Sequence, residues 1–264
     1  MKTRSQKEVL RLVLKPIFDF HVHSDWSDGV STCREIVEYA ISKNIRLLGF
    51  SDHFSTDPEK NPKIARRLSD YYEEIRLLGK EFSRQIKLKV ALEVDARTYD
   101  FLSEKSVRAL TSHDFDYYLF EYVTDPYSYY PIETRDPLLI ISKIKEFKET
   151  LSNSCPVGIA HMEVRYLKDE KLEKVVDKLA DTGIFVELNT HKDNYKHEKF
   201  KAILKRSDIK LSVGSDAHIK TRVGDVEYPL TLLESYNATN RLIFLNEIKS
   251  EVTAHKFVNL LSDH

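Results

Sequence analysis

The sequence predicts an α/β fold in which short apolar strands alternate with longer amphipathic helices. Seven strand-like runs are each followed by a segment with helical spacing, and no Pro-, Gly- or Ser-rich linker divides the 264 residues. Such alternation is typical of a parallel sheet covered by helices. Seven or eight units fit a closed barrel better than an open doubly wound sheet, although the pattern alone leaves closure open. The expectation is one domain, residues 1–264.

The predicted strands are continuous apolar runs of the length that buried strands adopt. They cover 17–20, 46–51, 87–93, 117–123, 157–160, 184–188 and 210–214, and the intervening helices cover 33–43, 62–85, 104–112, 138–151, 170–182 and 196–206. In the first helix, Ile36, Val37 and Ala40 recur on one helical face, and Thr32 with Glu35 forms a capping box. Two further helices over 230–261 are expected to pack on the barrel.

Composition excludes several classes of protein. The formal net charge is -1, so no global basic field indicates an extended nucleic-acid partner, although a short nucleic-acid end stays possible. Two isolated cysteines, Cys33 and Cys155, provide neither a disulfide framework nor a CxxC pair, which favours a cytoplasmic protein. The apolar stretch 9–17 contains Arg11, Lys15 and Pro16, and is too short and too charged to span a membrane.

Polar clusters stand at the ends of five of the predicted strands. They read Asp19-Phe20-His21-Val22-His23, Ser51-Asp52-His53, Ala91-Leu92-Glu93, Ile159-Ala160-His161 and Ser215-Asp216-Ala217-His218. In a βα barrel, the loops after the strands carry the chemistry. Imidazole and carboxylate together suit divalent zinc, manganese or iron. The clusters therefore predict that these strands converge on one metal site.

The spacing within two clusters supports this prediction. His21 and His23 are two residues apart, so in an extended chain both side chains point to the same side. Asp216 and His218 repeat this spacing at the last strand, and Asp28 adds an oxygen ligand on the first loop.

These segments carry a family resemblance. The chain resembles the PHP family, named for polymerase and histidinol phosphatase, in the motifs DFHVHSDWSDG, LLGFSDHF, VALEVD, GIAHMEV and VGSDAH, in that order across residues 17–224. The resemblance implies a distorted TIM-like (β/α)7 barrel that binds two or three metal ions and hydrolyses phosphate esters.

The same resemblance implies a ligand set. One metal would be held by His21, His23, Glu93 and Asp216, a second by Asp28, His53 and His218, and a third by Glu93 as a bridge with His161. The family commonly has another histidine after strand four, where this chain reads DYYLFEYV at 116–123. Val123 cannot bind metal and Glu121 is the nearest substitute, so two ions are a firmer expectation than three.

Metal chemistry then suggests a mechanism. Two ions about 3.5–4 Å apart would present a bridging hydroxide in line with the phosphorus. Asp216 or His218 could assist proton transfer and are the catalytic candidates. Arg165 and Arg222 are the preferred phosphate contacts, and His191 is a candidate substrate contact.

Hydrolysis of a phosphomonoester is therefore the leading function, with a small phosphorylated metabolite or a nucleotide as substrate. One alternative is histidinol-phosphate phosphatase, although the family's histidinol phosphatases more often carry a histidine at the end of the first motif, where this chain has SDWSDG. Another is hydrolysis of a nucleotide or an oligonucleotide end. The non-enzyme alternative is an inactive metal-binding PHP scaffold, supported only by the missing strand-four histidine. The oligomeric state cannot be inferred.

Overall fold

The computed structural model describes residues 17–55, 62–97, 101–124, 136–151 and 155–262. The strands are β1 (Phe18–Val22), β2 (Leu47–Phe50), β3 (His53–Phe54), β4 (Lys87–Asp95), β5 (Tyr117–Glu121), β6 (Val157–Ile159), β7 (Phe185–Asn189) and β8 (Leu211–Gly214). The α-helices are α1 (Cys33–Ser42), α2 (Pro62–Glu81), α3 (Glu104–Leu110), α4 (Pro137–Thr150), α5 (Asp169–Thr182), α6 (Lys201–Lys205), α7 (Glu227–Ser235) and α8 (Leu245–Ser262).

All strands pair in parallel, in the order β1-β2-β4-β5-β6-β7-β8, and the two-residue β3 pairs with β4. Hydrogen bonds between β1 and the segment after β8 bring the two sheet edges together. The His23 amide donates to the Ala217 carbonyl at 3.0 Å, and the Asp216 amide donates to the His21 carbonyl at 2.8 Å. The sheet is thus a nearly closed seven-stranded barrel, which confirms the predicted TIM-like fold.

Burial on both faces explains why the strands read as apolar runs. Phe18, Leu47, Val90 and Leu211 are fully buried, and each such side chain contributes about 1.5–3 kcal/mol relative to exposure. The strand sequence FDFHV of β1 is buried throughout, including its polar residues. Because these polar groups lie inside, the fold must provide them with hydrogen-bond partners.

Local capping interactions mark where several helices begin and end. The capping box of α1 is confirmed, since the Thr32 side chain accepts from the Glu35 amide and the Glu35 carboxylate accepts from the Thr32 amide. Helix α4 begins after Asp136, whose side chain accepts from the Leu138 amide. Helix α5 ends at Gly183, which has the left-handed φ of 61° that glycine adopts without strain.

Two predicted helices differ from the structure, and one short strand was not predicted. The helix expected over 196–206 is α-helical only in α6 and is preceded by 3-10 turns at Asn194–Lys196 and Glu198–Phe200, because His197 adopts an extended conformation that interrupts it. The helix expected over 62–85 ends at Glu81 and has a non-helical residue at Arg67. Strand β3 was not predicted, because two residues are too few for a detectable pattern.

Helices α7 and α8 account for the two expected after residue 230, with a 3-10 turn at Thr239–Arg241 between them. Within the described ranges, no helix combines the length and the apolar character that a bilayer crossing requires. The apolar stretch 9–17 lies outside these ranges apart from Ile17.

Candidate metal centre and active site

The predicted ligands all lie at the carboxyl end of the barrel. His21 is in β1, His53 opens β3, Glu93 is near the end of β4 and Glu121 closes β5. Asp28 and His23 follow β1, His161 follows β6, and Asp216 and His218 follow β8. Because parallel strands end at one rim of a barrel, residues far apart in sequence become neighbours there. The structure brings all nine predicted ligands together.

The centre of the site is formed by the two histidines of the first motif. Nε2 of His21 lies 2.9 Å from Nε2 of His23, and Nε2 of His23 lies 3.1 Å from Oδ1 of Asp216. Oε2 of Glu93 approaches the two nitrogens at 3.3 and 3.4 Å. Donor atoms of His21, His23 and Asp216 lie within 4.8 Å of one another, close enough to share one ion.

A second group surrounds Asp28. Its Oδ2 lies 3.1 Å from Nε2 of His218 and 3.5 Å from Nε2 of His53. His23 belongs to this group as well, since its Nδ1 lies 3.6 Å from Oδ1 of Asp28. The two groups are therefore adjacent and share His23.

Glu121, the expected substitute for a histidine after the fourth predicted strand, lies against His53. It is 3% exposed, and its Oε1 lies 3.2 Å from Nδ1 of His53. The same nitrogen is 3.1 Å from Oε2 of Glu93, and the other Glu93 oxygen is 3.0 Å from Nε2 of His161. Glu121 thus lies with His53 and Glu93 as a third group of possible ligands.

His191 lies beside this set of ligands. Its Nδ1 is 3.5 Å from Oδ2 of Asp216, and His191, Asp216 and His218 form a fourth possible group. The His191 side chain is 41% exposed, whereas Asp216 is buried. His191 therefore links the interior of the site to solvent.

The electrostatics of the centre couple buried imidazoles to buried carboxylates. Burial opposes protonation of His21, but Glu187, Glu93 and Asp216 outweigh it and raise the pKa of His21 well above its ordinary value. Burial likewise opposes ionisation of Glu93, yet His21 and His53 hold its pKa well below the usual range. Glu93 therefore remains ionised although it is enclosed.

The outer part of the site shows the same pattern. Partial burial favours the neutral form of Asp28, but hydrogen bonds from His218 and His53 outweigh it and lower the pKa of this carboxyl group. Asp28 in turn raises the pKa of His218 against burial. Burial and the neighbouring Glu93 raise the pKa of Glu121. So many carboxylates require compensating positive charge, which protons on imidazoles or divalent cations can both provide. The donor set therefore fits divalent metal ions.

Two imidazoles behave differently. Burial and the neighbouring His53 and His21 lower the pKa of His23, so this ring stays neutral and available to a metal. Burial also lowers the pKa of His191, and nearby cationic groups, Lys192 among them, add to this effect against the attraction of Asp216.

Glu187 is a site residue missing from the predicted ligand set. It is fully buried in β7; its Oε1 lies 2.7 Å from Nδ1 of His21, and its Oε2 accepts from the His161 amide at 3.0 Å. The Asn189 side chain donates to the same Oε2 at 3.1 Å and to Oδ2 of Asp216 at 3.3 Å. The available sequence signal was an acid and an amide at alternate positions of an apolar strand, FVELN.

Gly214 leaves room for the contact between His21 and Glu187. A Cβ atom on Gly214 would collide with the His21 Cβ and with Oε1 of Glu187. Glycine is therefore required at this position of β8 by the close approach of β1 and β7.

Two buried aspartates, Asp19 and Asp52, hold loops of the site in place by accepting hydrogen bonds from them. Asp19 accepts from the amides of Ser215 at 2.9 Å and Gly224 at 2.8 Å, so it ties β1 to the segment after β8. Asp52 accepts from the Ser24 amide at 2.8 Å and the Ser27 hydroxyl at 2.6 Å. The second set of bonds holds the loop that presents Asp28.

Three site residues have left-handed backbone conformations. Tyr122, His161 and Asp216 have φ values of 60°, 30° and 54°. Non-glycine residues adopt this region rarely, at a cost of about 1 kcal/mol or more each, and mostly where the surrounding structure enforces it. They all lie just after strands of the barrel, where the chain turns its side chains toward the site.

The two predicted phosphate contacts lie at different places. Arg165 lines a cavity of about 200 Å³ beside His161, where it pairs with Glu163 through two hydrogen bonds of 2.6 and 3.0 Å. Arg222 lies on the 3-10 turn Lys220–Arg222, pairs with Asp225 at 3.3 Å and does not line this cavity. The arrangement favours Arg165 over Arg222 as a substrate contact.

Comparison with known proteins places this geometry in a family. A crystal structure of histidinol phosphate phosphatase from Lactococcus lactis subsp. lactis Il1403, in complex with zinc, L-histidinol and phosphate, has a TM-score of 0.59 at 20% identity, and the alignment covers 84% of this chain and 94% of that one. A proposed histidinol phosphatase from Listeria monocytogenes has a TM-score of 0.56 at 14% identity, with 78% and 97% covered. Both likenesses concern the fold.

The sequence itself matches in two ways. It is 36% identical over 77 residues to the DNA polymerase/3'-5' exonuclease PolX of Bacillus subtilis (strain 168), a segment that spans 29% of this chain and only 13% of that relative. The model of the PHP domain matches residues 19–191, from β1 to the loop after β7, which is well over half of the chain. The chain therefore belongs to the PHP domain family.

Proposed function

We propose that the protein is a metal-dependent phosphoesterase that hydrolyses a phosphomonoester. The observation that carries the proposal is the convergence of histidines and buried carboxylates at one rim of a barrel whose sequence matches the PHP domain. The chemistry that divalent ions supply when bound is activation of water as a nucleophile near neutral pH and offsetting of phosphoryl charge.

Polar groups close to Nδ1 of three imidazoles support a specific ligand assignment. Nδ1 of His21 faces Glu187, Nδ1 of His218 faces the Asp216 carbonyl at 3.0 Å, and Nδ1 of His53 faces Glu93 and Glu121. A ring that donates from Nδ1 presents an unprotonated Nε2. All three rings therefore present Nε2 to the centre.

This assignment favours two ions. The first would be held by His21, His23, Glu93 and Asp216, and the second by Asp28, His53 and His218. Because His53 uses Nε2 for the second ion, its Nδ1 is left to donate, and Glu121 then orients this ring. A third ion between Glu93 and His161, with Glu121 as a ligand, is the alternative.

The chain also offers a path for protons. Asp216 directs Oδ1 toward the central imidazoles and Oδ2 toward His191, 3.5 Å away. His191 is partly exposed and can exchange a proton with solvent. We assign proton transfer to Asp216 with His191 as the outlet, while His218 serves as a ligand.

A hydrolysis assay tests the proposal. Activity toward p-nitrophenyl phosphate with added manganese or zinc should fall by about 100-fold or more in His21→Ala, since a first-sphere ligand is lost. His197→Ala, which removes an exposed histidine that belongs to none of the possible ligand groups, is the matched control. Equal rates in His21→Ala and the wild type would overturn the phosphoesterase proposal and favour the inactive scaffold.

Metal content provides a separate test. Elemental analysis of protein reconstituted with zinc, manganese or iron should find about two equivalents. Less than about one equivalent of each metal would count against the site.

A second candidate function is hydrolysis of histidinol phosphate, favoured by the fold similarity to a histidinol phosphate phosphatase. Cleavage at a nucleotide or oligonucleotide end is a third, favoured by the segment shared with PolX. A screen of phosphorylated metabolites that includes histidinol phosphate and nucleoside monophosphates separates them. A small phosphorylated molecule remains the proposed partner, and a cytoplasmic location remains a prediction from cysteine usage.

A further inference from the structure

The cavity beside His161 provides information about the substrate's leaving group. Its walls come from the loops after β5, β6 and β7, and it includes Tyr122, Arg165 and Lys192 together with His161 itself. At about 200 Å³ it is smaller than the about 300–1,000 Å³ of drug-sized ligand sites. Because it adjoins the proposed metal centre, a group that extends from a bound phosphate would enter it.

Most of the charge on the cavity wall is already compensated. Arg165 is held by Glu163 in a two-bond ion pair. Behind the Tyr122 ring, Arg97 stacks at 4.2 Å and is itself paired with Asp95. These two ion pairs make the wall polar without giving it a net charge.

Lys192 is the exception. Its side chain is exposed, and its ammonium group forms no ion pair with any of the described residues, whereas Lys196 on the same loop pairs with Asp193 at 2.8 Å. The Lys192 amide donates to Oδ1 of Asn189 at 2.9 Å, which fixes the backbone of this residue at the end of β7. The described wall therefore carries one uncompensated positive charge at a defined place.

We propose that the substrate is a phosphomonoester whose leaving group carries a second anionic group, a carboxylate or another phosphate, recognised by Lys192. A leaving group with an amine would instead bring a cation beside Lys192, with the Glu163 carboxylate already engaged by Arg165. The inference rests on the proposed phosphoesterase function and deepens it by naming the substrate class.

Four aryl phosphates that differ only at the para position test this inference. They are phenyl phosphate, 4-carboxyphenyl phosphate, 1,4-phenylene bisphosphate and 4-(aminomethyl)phenyl phosphate. An exposed ion pair changes kcat/KM by up to about five-fold. The two anionic compounds should therefore exceed phenyl phosphate by about three- to five-fold, counted per ester bond, and the amine should fall below it. The two anionic arms distinguish a carboxylate from a phosphate as the recognised group.

Charge reversal makes the test specific to the residue. In Lys192→Glu the ratio of kcat/KM between the carboxylate and the amine compound should fall by about ten-fold or more. In Lys174→Ala, which changes an exposed lysine of α5, the ratio should equal that of the wild type. Raising the salt concentration should reduce the wild-type ratio, because exposed charges are screened.

The outcomes separate the two claims. Equal kcat/KM for the charged and uncharged compounds, or a ratio that Lys192→Glu leaves unchanged, overturns the inference while the phosphoesterase function stands. No turnover of any of the four compounds by metal-loaded protein overturns the function and this inference together.

Discussion

The buried Glu187 carboxylate is the contact whose removal should most clearly expose how the metal centre is held. It accepts from His21 through Oε1, and from the His161 amide and the Asn189 side chain through Oε2. The substitution Glu187→Gln preserves shape but removes the charge and replaces one acceptor by a donor. Every partner of Oε2 is a donor, so the amide cannot satisfy all the contacts while His21 keeps its proton on Nδ1.

The magnitude follows from these contacts. A hydrogen bond to a charged group contributes about 1.5–3 kcal/mol and a neutral one about 0.5–1.5 kcal/mol, so loss of the charge weakens each of the three hydrogen bonds by about 1–1.5 kcal/mol. If the amide nitrogen faces His21 instead, it donates to Nδ1 and forces the proton onto Nε2, the atom assigned to the metal. Partners of this kind change metal affinity by about 10–100-fold, which is the expected weakening.

Competition with a fluorescent chelator for zinc and for manganese measures this effect. Far-UV circular dichroism establishes that the variant is folded, and Glu173→Gln on the exposed face of α5 is the matched control. If the dissociation constant of folded Glu187→Gln stays within about two-fold of the wild-type value, Glu187 does not control metal affinity through His21. The expected weakening is about 10–100-fold.

Three other predictions follow from the same site. Glu121→Gln should keep about two metal equivalents per chain and weaken metal binding by about ten-fold. Glu104→Gln is the exposed control. Loss of one metal equivalent would instead show that Glu121 is a ligand. Gly214→Ala should lower the free energy of unfolding by about 1–3 kcal/mol, which thermal denaturation would show as a drop of several degrees, because the added Cβ overpacks the His21 contact. Metal-free protein should lose stability as the pH rises above 6.5, because a pKa raised in the folded state, as for His21 and His53, stabilises only while the ring is protonated. Metal binding requires unprotonated rings, so the melting-temperature gain on adding zinc should grow over the same range; a gain that is constant between pH 6 and 8 would contradict this.

Local patterning determined the elements of this protein. The capping box at Thr32, the apolar runs of the seven main strands and the helical spacing between them could all be recognised from neighbouring residues, because helix caps and strand burial act over a few positions. The same patterning placed His21, His53, Glu93 and the other ligands at strand ends. The helix expected around His197 was wrong for a related reason, since one extended residue interrupts a pattern that is otherwise helical.

Only the tertiary structure decided which groups meet. That Glu187 faces His21, that Glu121 lies against His53 and that Lys192 lines the cavity by His161 all depend on closure of the barrel, which brings together strands separated by scores of residues. Sequence periodicity specifies which side chains point to one side of a strand, but not which neighbour they reach. The sequence by itself thus determined the chemistry available to this protein, and the closed sheet decided how that chemistry is arranged.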